Sequence, residues 1–158
     1  MRIKLRGASD FEKEYAIDVV NFCCSMLMSK RLQQNLDITV KFVPGLFESS
    51  RQCGNCIWED DYIRPKEFTI EIDPTQDKRT IIETLCHELV HVKQFATGEM
   101  RDLQTDSDVV NWKGKRYNRT KQHYFDLPLE IDAHGREVGL FVRWAESRKL
   151  GHLQWTQV

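Results

Sequence analysis

His87, Glu88 and His91 stand in the run His87-Glu88-Leu89-Val90-His91, an H-E-x-x-H spacing. Residues four apart on a helix share a face, so His87 and His91 can aim their imidazoles at one point. Two neutral imidazoles converging there make half of a tetrahedral Zn2+ site. Glu88 is one step round the helix from His87, close enough to hold a water at the metal without ligating the ion. A carboxylate so placed can take a proton from that water and later return it to a leaving group. The expected chemistry is therefore metal-assisted hydrolysis, with Glu88 as general base.

The element that must hold these residues is a helix over residues 80–98. Thr80 with Glu83 matches a capping box, and Gly98 supplies a C-terminal stop. Ile81, Ile82, Leu85, Leu89, Val92 and Phe95 form an apolar stripe that predicts burial of one side.

A catalytic zinc site has three protein ligands and one open position. The metzincin extension, H-E-x-x-H-x-x-G-x-x-H, needs a glycine and a third histidine where this chain has Gln94 and Thr97, and is excluded. The candidates for the third ligand are Glu99, His123, Glu130 and His134, with Asp102, Asp106 and Asp108 further from expectation. Glu130 is preferred. A ligand on a separate helix can be fixed rigidly against the first, whereas Glu99 follows directly on the Gly98 stop. Ala133, three residues on, keeps that face small enough for two helices to pack closely. The rival His123 would complete an all-histidine site of the kind SprT-like proteases carry.

The segment Leu127-Pro128-Leu129-Glu130-Ile131-Asp132-Ala133 fits an L-P-x-E-x-[DE]-A pattern. Together with the H-E-x-x-H helix it resembles small zinc metallopeptidases, many of them in bacteria and their phages, that look like minimal gluzincins, the thermolysin-like class. The likeness covers about residues 80–145, roughly the second half of the chain, judged against the signature spacing. It implies a minimal zincin-like fold in which His87, His91 and Glu130 bind Zn2+ and Glu88 acts as general base. The class commonly carries E-x-x-x-D, whose Asp orients a zinc-binding histidine. Here the fourth residue after Glu130 is His134, so Asp132, Glu137 or a backbone carbonyl must take that part.

The leading expectation is an endopeptidase hydrolysing peptide or protein substrates. The oxyanion of such a reaction needs a donor beside the metal, for which Tyr117, Tyr124, His123 and His134 are candidates. An edge strand over residues 67–73 is expected to hold an extended substrate by strand addition. Two alternatives stand beside this one. One is a non-catalytic structural or binding protein in which zinc staples two helices with four protein ligands, His123 or His134 joining the other three. The other is a zinc hydrolase of a non-peptide amide or ester.

The remaining elements read as scaffold, giving an α+β fold in a single domain over residues 1–158. A first helix is predicted over residues 10–32, capped by Ser9 or Asp10, with Cys23 and Cys24 as small core residues. Strands are predicted over 37–43 and 66–73, and within 46–61, forming a small, mainly antiparallel sheet with one solvent-facing side. Cys53-Gly54-Asn55-Cys56 reads as a hairpin turn, with redox or metal binding by the two cysteines as the alternative. A polar stretch to Asp108, read as a cleft wall or flap, precedes a hairpin over 109–117 turning at Lys113-Gly114. Asp126 is expected to cap a last helix with Pro128 in its first turn. Leu153 and Trp155 are expected to tie down the tail.

Composition bounds the rest. At 41% hydrophobic and 30% charged residues the chain reads as soluble and globular. A formal net charge of −1 gives no general pull towards nucleic acid or anionic membrane, and the basic residues around Lys113–Lys121 have acidic neighbours. No run approaches a transmembrane length, and the basic start lacks the apolar core of a signal peptide. Five irregularly spaced cysteines argue for reduced thiols. The expectation is a cytoplasmic protein of a bacterium or an infected host cell.

Overall fold

The structure, a computed structural model, describes residues 1–103 and 106–157. Gln104 and Thr105 of the polar stretch, and Val158 of the tail, lie outside the described residues. In chain order the elements are β1 (Arg2–Arg6), α1 (Asp10–Leu27), α2 (Lys30–Gln34), β2 (Asp37–Phe42), α3 (Leu46–Ser50), β3 (Gly54–Trp58) and β4 (Glu67–Ile72). They continue with α4 (Lys78–Thr97), β5 (Met100–Leu103), β6 (Asp106–Trp112), β7 (Lys115–Asn118) and α5 (Pro128–Ser147). The fold is mixed α+β.

The main sheet has the order β1-β2-β4-β3, with β1, β2 and β4 parallel and β3 antiparallel to β4. It is thus mixed rather than mainly antiparallel. β1, too short and too basic to read as a strand from its own residues, begins a right-sized crossover: parallel neighbours need a long return path, and α1 with α2 supplies it. The expectation for residues 67–73 also changes. β4 lies between β2 and β3, and the free edge beside the helices belongs to β3. The Cys53–Cys56 run is not a turn, because Cys56 sits within β3 and Cys53 just precedes it; both thiols are free.

Alternation decides which side of the sheet is buried. Ile38, Val40 and Phe42 of β2 lie in register with Phe68, Ile70 and Ile72 of β4, and all six are buried against the helices. The opposite side carries pairs such as Lys41 with Glu71, 2.9 Å apart. Opposed residues of antiparallel strands share a face, so Gly54, Cys56 and Trp58 look towards the helices beside Ile72, Ile70 and Phe68. That face meets α4.

The helix boundaries differ from expectation for local reasons. The first predicted helix breaks at Met28, because Ser29 accepts from the Leu32 amide and starts α2 afresh. α4 begins at Asp77, whose carboxylate accepts from the amides of Arg79 and Thr80 at 3.0 Å. A carboxylate is the stronger cap at the positive end of the helix. Thr80 instead donates its hydroxyl to Asp77, and Glu83 pairs with Arg79. At the other end Gly98 takes φ 77°, a left-handed conformation that stops the helix. α5 is capped at Leu127 with Pro128 as first residue, while Asp126 closes a 3-10 turn, Tyr124–Asp126.

α4 lies at the centre of the molecule, between β3, α1 and α5. Leu85, Leu89, Val90 and Val92 are wholly buried there, each contributing about 1.5–3 kcal/mol by leaving water. Cys23 and Cys86 meet across the α1–α4 contact with sulfurs 3.6 Å apart, and Cys24 is also buried, as core residues. α5 is locked to α1 by Asp18, which accepts from Trp144 Nε1 and from Nε and Nη2 of Arg148. Trp155 closes the end of the core against Phe11 and Tyr15, with ring centres 5.4 and 5.5 Å apart. The predicted hairpin is β6–β7, turning through Lys113 and Gly114 with positive φ at both; with β5 it forms a second, three-stranded sheet. Among the described residues no helix is long and apolar enough to cross a membrane.

Candidate metal centre

α4 and α5 bring His87, His91 and Glu130 together. The Nε2 atoms of the two histidines are 3.1 Å apart, and each is 3.4 Å from Glu130 Oε2. All three side chains are buried. Glu130 reaches the pair because Pro128 starts α5 two residues before it, and because Ala133 lets the helices approach; Ala133 is wholly buried.

The far side of each ring settles what faces inwards. His87 Nδ1 donates to Glu137 Oε2 at 2.6 Å, since a carboxylate can only accept. His91 Nδ1 lies 2.8 Å from Gln94 Oε1. Gln94 spends its amide nitrogen on Leu129 O at 3.0 Å and Asp132 Oδ2 at 3.2 Å, so its oxygen must accept from His91. Both Nε2 lone pairs then point at a carboxylate oxygen that is itself buried and without a hydrogen-bond partner. With both imidazoles neutral, three acceptors converge with no donor among them, an arrangement that is costly unless a cation, a proton or a metal ion, sits between. The triangle also has the right size. Ligand atoms about 2.0–2.1 Å from a tetrahedral zinc stand roughly 3.3 Å from one another.

The electrostatics show that the cluster attracts positive charge. Burial pulls the His87 imidazolium down, but hydrogen bonds to Glu130 and Glu137 outweigh it and push the group up to about 10. His91 is raised as well, burial again being outweighed by Glu130. Burial alone would raise Glu130, yet the two histidines hold it well below the usual carboxylate range. In the metal-free chain the cluster therefore holds positive charge as protons, the charge that a metal ion would replace.

Glu88 is buried beside this triad and lines a cavity of about 380 Å3 with His87, His91, Glu130, Tyr124 and Arg119. Its pKa is raised, chiefly by burial. The wall opposite is the backbone of β3. A methyl group at Gly54 would come within 2.5 Å of Thr84 Cγ2 and 3.0 Å of Glu88 Oε1, so glycine alone lets β3 pass this close to α4. Tyr124 reaches the cavity from the 3-10 turn, and its hydroxyl is raised by burial and by the Glu130 carboxylate, which keeps it a donor.

The other predicted site residues divide. His134 lies against His87, ring centres 4.5 Å apart, and shares Glu137 with it; it supplies no atom to the triad. Asp132 acts on Gln94 rather than directly on a histidine. His123 is exposed and its ring accepts from the Phe125 amide at 3.4 Å, capping the 3-10 turn instead of joining the triad. Tyr117 is in β7 on the second sheet, opposite Val110, and does not line the cavity. Glu99 binds Lys93 at 2.6 Å, and Asp102 binds Arg119 at 2.7 Å. Asp106 accepts from the Asp108 amide. Among the described residues no fourth His, Cys, Asp or Glu joins His87, His91 and Glu130, so the group has the composition of an open site rather than a closed one.

One residue gains a role that sequence reading did not give it. Gln94 holds His91; its place one turn on along the same face was the available signal, but an amide there is ordinary on any helix. Glu137 was one of three candidates to orient a histidine, and it does so from the second turn after Glu130. Set against protein-family models, curated proteins and solved structures, the chain matches none of them.

Proposed function

We propose that this protein is a zinc-dependent peptidase of the gluzincin type, with a minimal zincin-like arrangement of the H-E-x-x-H helix and a second helix carrying the third ligand. The observation that carries the reading is the convergence of three possible lone-pair donors, His87 Nε2, His91 Nε2 and Glu130 Oε2, within 3.4 Å of one another in a buried site. The donor set is that of catalytic zinc. Bound there, zinc supplies a Lewis acid that polarises a carbonyl and acidifies water.

The chain's own residues supply the rest. Glu88, buried on the cavity wall, accepts a proton from water entering the cleft and returns it to the leaving amine. Its raised pKa brings it nearer the range in which both transfers run well. Tyr124, still protonated, offers its hydroxyl to the oxyanion that forms on the substrate carbonyl. Glu137 and Gln94 keep the two imidazoles in the required tautomer and orientation. The free edge of β3, beside Glu88, is where an extended peptide adds as a further strand.

The test is a comparison of wild type with Glu88→Gln, using metal analysis and digestion of a broad peptide library. The variant is expected to keep one equivalent of zinc and to lose about 10²–10⁴ in kcat. A Glu88→Gln protein as active as wild type overturns the mechanism, and bound zinc with no turnover on any peptide overturns the peptidase reading.

A further inference from the structure

Resting on that reading, we propose that the cleft includes a remote apolar specificity pocket at the Trp58 end of β3. It receives a large aromatic or aliphatic side chain of an extended polypeptide, about four residues from the bond that is cut.

A cavity of about 680 Å3 opens there, with Trp58, Ile63, Pro65, Phe95, Met100 and Leu103 in its lining. That volume is in the range of sites that hold ligands rather than of packing gaps. Phe95, Met100 and Asp102 line both this cavity and the one at the metal centre, so the two adjoin. The strand register links them as well. Gly54, Cys56 and Trp58 look to the same side of the sheet, Gly54 against Glu88 and Trp58 into the second cavity. From Gly54 to Trp58 β3 advances about 13 Å at roughly 3.3 Å per residue. A polypeptide lying extended along that edge has the same rise. The residue beside Trp58 is therefore about four from the residue beside Gly54.

The chemistry of the pocket selects an apolar occupant. Phe95 and Met100 form a buried floor, and the rim carries Tyr62 and Ile63, which are 64% and 74% exposed. A lone exposed isoleucine means little, but adjacent apolar side chains at the rim of a concavity gain by being covered. Charge does not compete. Asp61 and Asp102 in the lining are matched in number by Arg101 and Lys113, and Asp102 is also joined to Arg119 and to Trp58 Nε1.

The experiment uses the zinc-loaded chain and peptides in which one phenylalanine is moved through every position on both sides of the cleaved bond. Wild type is expected to show kcat/KM about tenfold higher when phenylalanine stands three to five residues out on one side only. Ile63→Glu, at a rim position outside the catalytic machinery, should abolish that preference while leaving a short peptide that ends before the pocket cleaved at the wild-type rate. Binding of the same peptides to Glu88→Gln reads the pocket without hydrolysis. A phenylalanine preference in binding, lost in the Glu88→Gln/Ile63→Glu double variant, supports the pocket even if no peptide is cleaved and the peptidase reading fails. Cleavage or binding that is flat across positions, or a preference that survives Ile63→Glu, overturns the pocket and leaves the peptidase reading untouched.

Discussion

The two walls of the cleft are built on opposite principles. On the α4–α5 side the polar groups look inwards and are committed: Glu137 and Gln94 hold the imidazoles, and Leu129 O and Asp132 hold Gln94. On the β3 side and across the second sheet, the contacts are half-exposed, the strand edge is free, and apolar side chains stand in solvent. Fixed polar contacts are concentrated where, on the proposed reading, ligand atoms would have to be held to a fraction of an ångström. Freedom has been left where a polypeptide of varying sequence would have to lie.

The difference can be broken most sharply at Glu130. Glu130→Ala should lower zinc affinity by at least about a thousandfold, read by competition with a chromophoric chelator, since the binding energy of such a site is shared among few ligands. An unchanged affinity would remove Glu130 from the ligand set.

Smaller effects are expected one layer out, and they separate the two histidines. Glu137→Gln should cost about 10–100-fold in zinc affinity and Gln94→Ala about tenfold, because the first removes a charge-assisted bond and the second a neutral one. Equal losses, or none, would mean that the ring partners are incidental.

The same wall should make metal uptake depend on pH. With His87 raised to about 10 in the metal-free chain, it would bind zinc at neutral pH only by losing a proton. Zinc affinity should rise by up to about tenfold per pH unit between about pH 6 and pH 8. Calorimetry in buffers of different ionisation enthalpy should detect proton release. The stability of the metal-free protein has the opposite sign. The contribution from the raised His87 is complete below its unfolded value of about 6.5 and is lost as pH climbs through about 10.

The open wall should respond least. Arg119 and Asp102 are joined at 2.7 Å but are 32% and 26% exposed, so Arg119→Ala is expected to cost no more than about 1 kcal/mol of stability in urea titration. Zinc affinity should not move. A large drop in either would show that the second sheet is part of the rigid wall.

Legibility divides along nearly the same line. The H-E-x-x-H face and the Gly98 stop could be read from residues a few positions apart, as could the β6–β7 turn and the burial of Leu85, Leu89 and Val92. The start of α4 was misplaced by one turn because two capping patterns overlap there, and only the paired amides show that Asp77 takes the position. β1, the parallel order of the sheet and the free edge at β3 were not legible. A strand's neighbours are set by the path of the whole chain, and a short basic strand such as Arg2–Arg6 is stabilised by its partner rather than by its own pattern.

What the residues alone determined is the chemistry on offer. The i, i+4 geometry of a helix is local, so His87 and His91 had to share a face with Glu88 next to it. The tertiary structure decided which carboxylate arrives, with Glu130 brought in by α5 while His123 is spent on capping a turn. It also decided that Glu137 and Gln94 turn both lone pairs inwards, and that Gly54 rather than a strand of the sheet interior faces Glu88. These pairings join segments 34 to 50 residues apart or turn on where a single amide nitrogen finds its acceptor, and no local pattern encodes either.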